Sequence, residues 1–80
     1  MGSSVVHTPA YRALCRLLRQ QREDAGLTIR ELGARLKKPY SLVSKVERGE
    51  RRIDPVEFAA WCRACGVDPS EAMRQIAPPR

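Results

Sequence analysis

Tyr40, Ser41, Ser44 and Lys45 bring a phenol, two hydroxyls and an ammonium into six consecutive positions. On a helix these four share one side, while Val43 and Val46 between and after them fall on the other. All four can donate hydrogen bonds. Ser41 and Ser44 have no histidine and acid around them to make a nucleophile, so the row suits recognition of acceptor groups rather than bond chemistry.

The other group with chemistry to offer is Trp61-Cys62-Arg63-Ala64-Cys65. Its Cys-x-x-Cys spacing is that of redox sites, but that chemistry wants the first cysteine at a helix start after a strand, where the dipole lowers its pKa. Here the pair reads as the end of a helix. Zinc needs about four suitably spaced ligands, and only Cys15 and His7 are left to join, so no metal or cofactor is expected. Three cysteines are an odd number, against a disulfide framework, and they read as small core or half-buried thiols. His7 has no catalytic partner and no glycine-rich phosphate loop is present. The chain reads as a non-enzyme.

Charge directs attention back to the polar row. Residues 35–52 carry a net +5, against +2 for residues 1–34 and −1 for residues 53–80. Clustered basic charge is the footprint of a polyanion partner. Eighty residues form one small domain, which at this length buries about 60% of its unfolded surface, so pairing with a second copy is a ready source of stability. No apolar run approaches the roughly 20 residues of a membrane span, and Met1-Gly2-Ser3-Ser4 is not a signal-peptide start. The expected location is cytoplasmic.

Five short helices must position these residues. Thr8-Pro9 is a cap and first-turn proline, followed by an inward stripe of Tyr11, Leu14, Cys15, Leu18 and Arg22, with Gly26 as stop. Thr28 and Glu31 have capping-box spacing, with Leu27 and Leu32 as a hydrophobic staple, and open a helix to about Leu36. Pro39 is read as the first residue of a third helix that runs to about Arg48 and stops at Gly49. Asp54-Pro55-Val56-Glu57 and Asp68-Pro69-Ser70-Glu71 open helices 4 and 5 with the same cap, proline and third-position glutamate. Val56, Phe58, Ala59, Trp61 and Cys62 are the apolar residues of helix 4, which Gly66 stops. Residues 1–7 read as a flexible arm, 8–77 as the domain and 78–80 as a tail.

The stretch Leu27 to Arg52 resembles the Cro/repressor-type, or XRE-like, helix-turn-helix family. The resemblance rests on Leu27-Thr28, Glu31-Leu32, Leu36, the run Ser41-x-Val43-Ser44-Lys45-Val46-Glu47-Arg48-Gly49 and Gly66-Val67, and extends from about Tyr11 to Ile76. It implies an all-α, compact five-helix lambda-repressor-like DNA-binding domain with its helix-turn-helix at helices 2 and 3. It also implies a sequence-specific regulator, a dimeric repressor on a pseudo-palindromic double-stranded operator, with helix 3 in the major groove. Tyr40, Ser41, Ser44 and Lys45 become base-contact candidates: lysine to guanine O6 or N7, serine to several base edges. Thr28, Lys38, Arg48, Arg51 and Arg52 become phosphate contacts, which position without reading sequence. The resemblance pairs Arg22 with Glu47, in agreement with the place of Arg22 on the inward stripe.

The chain departs from the family at Ile29, often glutamine, at Gly33, usually alanine, and at Lys37, usually a turn glycine. Lys37 is therefore expected to adopt a left-handed conformation. Met73 and Ile76 of helix 5 are read as a homodimer patch. The competing reading is a protein-interaction module on the same scaffold, antitoxin-like or an adaptor, with thiol or metal sensing a distant third. No membrane partner is expected, and the sequence names no regulatory protein.

Overall fold

Four of the five helices begin on side-chain caps that the sequence encodes. The computed structural model describes residues 8–77; the expected arm and tail lie outside the described residues. The helices are α1 (Pro9–Asp24), α2 (Ile29–Leu36), α3 (Tyr40–Glu47), α4 (Pro55–Ala64) and α5 (Pro69–Ile76), and among the described residues there is no strand. The all-α, five-helix fold class is thus observed.

Thr8 accepts from the Tyr11 N–H at 3.1 Å. Complete capping boxes open α2 and α4: Thr28 with Glu31, and Asp54 with Glu57. These satisfy first-turn N–H groups that have no partner within the helix. Two starts differ from expectation. Asp68 of α5 accepts from Ser70 at 3.1 Å, while Glu71 accepts from Arg74 at 2.8 Å instead of closing a box. Pro39 is the N-cap of α3 rather than its first residue, with φ −60° and ψ 144°. The fixed proline φ is compatible with either position, and the extended ψ keeps it outside the helix.

The turn between α2 and α3 rests on two unusual residues. Lys37 is left-handed, with φ 57° and ψ 42°, and its N–H closes α2 onto the carbonyls of Gly33 and Ala34. Gly33 is buried where the chain doubles back. A Cβ there would stand 3.0 Å from the Lys38 carbonyl oxygen and 3.1 Å from the Tyr40 Cα. The missing side chain thus lets the start of α3 lie directly against α2.

The core joins all five helices. Leu18, Leu32, Val43, Val46, Trp61, Cys62 and Ala72 are fully buried, with Leu27 and Phe58 nearly so. Trp61 is the largest, and its indole N–H donates to the Leu18 carbonyl at 3.1 Å, so its polar atom is satisfied as it fills the centre. Ile29, Leu36, Val67 and Ile76 pack half-buried around this cluster. Val56, read from sequence as part of the apolar side of α4, is instead 79% exposed: it follows the helix-opening Pro55, on the turn that faces away from the core.

A left-handed conformation costs a non-glycine residue about 1–2 kcal/mol. Lys37→Gly should therefore stabilise the domain by about 0.5–1 kcal/mol once the greater freedom of glycine in the unfolded chain is subtracted. Thermal unfolding checks this: a rise of a few degrees is expected, and an unchanged or lower Tm contradicts it.

Candidate nucleic-acid interface

The polar face of α3 is held outward by what its other face does. Val43 and Val46 are buried, which turns Ser41 and Lys45 to the surface and leaves Ser44 half-buried. Tyr40 opens the helix with 48% of its surface exposed. Eight residues are too few for a helix to persist alone in water, so its placement depends on the body.

The main tether is Arg22. Its Nε donates to Glu47 Oε2 at 2.6 Å and its Nη2 to Glu47 Oε1 at 3.1 Å, a two-pronged pair between α1 and the last residue of α3. Its Nη1 donates to the Leu27 carbonyl at 2.8 Å, just before α2. Both side chains are nearly shut off from solvent, 11% exposed for Arg22 and 6% for Glu47. A charge-assisted fork of this kind is strong and directional.

The loop after α3 is tied down in turn. Glu50 N–H donates to the Lys45 carbonyl at 2.8 Å, and Arg48 pairs with Glu50 at 3.1 Å in an exposed contact of little energetic weight. Arg51 grips Glu57 with both terminal nitrogens, at 3.0 and 3.1 Å, and donates to the Arg52 carbonyl at 2.8 Å. The Arg51 guanidinium and then the Asp54 N–H hold the Glu57 carboxyl below the usual carboxylate range. Ile53 N–H donates to the Tyr11 hydroxyl at 2.9 Å, and the Arg52 guanidinium lies 5.4 Å from the Tyr11 ring centre.

The residues singled out from sequence fall into separate groups. Thr28, Tyr40 and Ser44 line one open recess of about 480 Å³ together with Arg22, Ile29 and Arg30. Ser41 and Lys45 continue along the exposed side of the same helix. Lys38 lies in the turn, close enough to Glu57 to lower its pKa. Arg48, Arg51 and Arg52 follow α3. Thr28 already donates its N–H to Glu31 at 2.8 Å and accepts from the Glu31 N–H at 3.0 Å, which leaves its hydroxyl hydrogen to offer a ligand.

Met73 and Ile76 lie elsewhere. They line an apolar groove of about 560 Å³ with Leu14, Ile53, Pro55 and Phe58. Met73 is 46% exposed.

Arg30 is the residue that the sequence reading passed over. Its guanidinium carbon stands 4.1 Å from the centre of the Tyr40 ring. Its one sequence signal is a cation in the first turn of a helix, where the dipole disfavours positive charge.

Burial is the largest influence on all three thiols and pushes each of them up, the opposite of an activated thiolate. Among the described residues no cluster of three potential ligands could hold a metal, and no helix is long and apolar enough to cross a membrane. His7 lies outside the described residues.

A family profile described as a helix-turn-helix domain matches residues 13–75. Among solved structures, an XRE-family like protein from Pseudomonas syringae pv. tomato superimposes with a TM-score of 0.80 at 46% identity, over 84% of this chain and 82% of the other. Two structures of the clp gene regulator ClgR from Corynebacterium glutamicum are also similar. Their TM-scores are 0.78 and 0.77, each at 28% identity over 90% of this chain, covering 77% and 92% of theirs. Comparison with curated protein sequences returns no match.

Removing one partner of a buried pair strands the other charge. Glu47→Ala should cost about 3 kcal/mol, the low end of the usual range, because Glu23 stands 4.0 Å from Arg22 and offers some compensation. Urea unfolding measures this, and a midpoint equal to that of wild type contradicts it.

Proposed function

This chain belongs to the XRE-like helix-turn-helix family of DNA-binding transcriptional regulators, and on that premise we propose that it is a sequence-specific, homodimeric repressor of a pseudo-palindromic double-stranded operator. The observation that carries the reading is the row Tyr40, Ser41, Ser44 and Lys45, on a short helix whose opposite face is buried and whose end is clamped by Arg22. A major groove admits one helix and presents distinct acceptors for each base pair. Lys45 donates to guanine O6 or N7, Ser41 and Ser44 to base edges, and Tyr40 meets a thymine methyl or a neighbouring phosphate.

Positioning falls to groups around that row. Lys38 and Arg48 neutralise phosphates, and the Thr28 hydroxyl donates to another. Arg51 and Arg52 add basic charge beside the groove. For Arg51 the grip on Glu57 makes orientation of the loop an equal part of its work. Repression is steric: the bound dimer occupies DNA that polymerase or another regulator needs. The nearly balanced charge of residues 53–80 and the apolar groove at α5 favour pairing through Met73 and Ile76, since a two-fold contact requires one patch that complements itself. The regulator works where the DNA is, in the cytoplasm on the nucleoid.

Selection from random duplex DNA identifies the operator, and titrations on it and on single-base variants test the contacts. Lys45→Ala should relax preference at one base pair by about 1–3 kcal/mol, while Lys38→Ala should weaken all sequences alike and reduce the salt slope by about 1. Equal losses on every sequence from both variants would mean that α3 does not read bases. Sedimentation tests the pairing. Wild type should form dimers at micromolar concentration, at least on its operator, and Met73→Asp should leave a monomer that protects one half-site. A wild type that remains monomeric with and without operator rejects the homodimer.

A further inference from the structure

Arg30 occupies a place that its local environment does not favour. It stands in the first turn of α2, at the positive end of the helix dipole, where α2, α4 and α5 otherwise carry glutamates. Among the described residues it forms no ion pair, whereas Arg19, Arg22, Arg48, Arg51 and Arg74 each have a carboxylate. What it has is the Tyr40 ring, 4.1 Å from the guanidinium carbon, well inside the range of a cation–π contact. At that separation the guanidinium carbon stands over one face of the ring, and its N–H groups donate to no carboxylate among the described residues.

The contact joins the starts of two helices. Arg30 is the second residue of α2 and Tyr40 the first of α3, and both border the recess that also contains Thr28 and Ser44. The other arginine of that recess, Arg22, has its donors engaged by Glu47 and the Leu27 carbonyl. Arg30 is therefore the guanidinium whose donors remain available there. Tyr40 begins a helix with no side-chain cap, preceded by the extended Pro39, and the arginine lies over its ring.

We propose that Arg30 and Tyr40 act as one reading element, in which Arg30 is a positioning residue that clamps the tyrosine ring against a single base step while donating its edge N–H groups to the phosphate beside that step. The inference rests on the DNA-binding reading above and adds a residue that sets specificity without touching a base. A guanidinium is needed for this, because its planar face stacks while its rim donates; an ammonium offers charge without the plane.

The coupling separates this role from that of an ordinary phosphate contact. On the selected operator and on duplexes altered at each position, Arg30→Ala should reduce affinity and also flatten preference at the base step that Tyr40→Leu affects. The shared part should be about two- to fivefold, the worth of an exposed cation–π contact. In the double variant the preference should be no flatter than in Tyr40→Leu alone. Arg30→Lys should recover the salt dependence but not the preference. Arg30 and Tyr40 are both exposed, and circular dichroism with thermal unfolding confirms that the variants fold. A uniform loss on all sequences from Arg30→Ala, or additive losses of preference in the double variant, overturns the proposal while DNA reading by wild type stands. If wild type selects no sequence from random DNA, the DNA-binding reading itself falls, and the coupling with it.

Discussion

The position of α3 depends on one buried guanidinium. Arg22 reaches from α1 to the carboxylate that ends α3 and to the carbonyl that precedes α2. The end of α1, the start of α2 and the end of α3 are thereby referred to one planar group. Burying this charge is unfavourable, and a hydrophobic replacement of the whole pair could be as stable. Apolar contacts, however, would let an eight-residue helix slide or rotate by fractions of a turn, whereas a two-pronged carboxylate contact has one geometry. The pair therefore matters to orientation more than to total stability, which the Trp61-centred core supplies.

That clamp acts at the end of α3, and other devices act at its start and beyond it. At the start, the absence of a side chain at Gly33 lets the Lys38–Tyr40 backbone close on α2, and the left-handed Lys37 turns the chain there. Beyond α3, the Arg51–Glu57 fork and the Tyr11 hydroxyl bond to Ile53 fasten the loop to α4 and α1. A helix fixed at both ends to a body that also fixes its neighbouring loops presents its outward side chains in a constant frame, which is the condition for reading base edges by hydrogen bonds.

The helices were legible because their starts are local chemistry. Thr8, Thr28, Asp54 and Asp68 each act within four residues of themselves, and the positive φ values of Gly26, Gly49 and Gly66 follow from the same short-range logic. The polar row on α3 and the left-handed Lys37 were legible too, the first from helical periodicity and the second from the family pattern. What escaped was settled by groups distant in sequence or by equivalent local choices. Glu71 had two partners within reach and took Arg74. Pro39 fits the cap and the first turn equally well. Val56 belongs to an apolar letter pattern, but the docking of α4 on the core turns it to solvent. Arg30 looked like one more surface cation, and only the fold brings it onto a ring ten residues away.

The same distinction changes what the basic charge means. Seven cations between residues 35 and 52 suggest a broad phosphate footprint. Several of them have work within the protein: Arg35 donates to the Ala64 carbonyl, Arg48 to Glu50, and Arg51 to Glu57 and the Arg52 carbonyl. Among the described residues the side chains of Lys37, Lys38 and Lys45 donate to no carboxylate. The division follows from the side chains. A guanidinium fork suits fixed internal partners, while an ammonium is a mobile point charge that tolerates the variable geometry of a phosphate backbone. The arginines thus mostly shape the surface and the lysines mostly charge it. Arg30 is exposed, has no carboxylate partner among the described residues and stands over the Tyr40 ring, so at that point shape and charge are carried by the same residue.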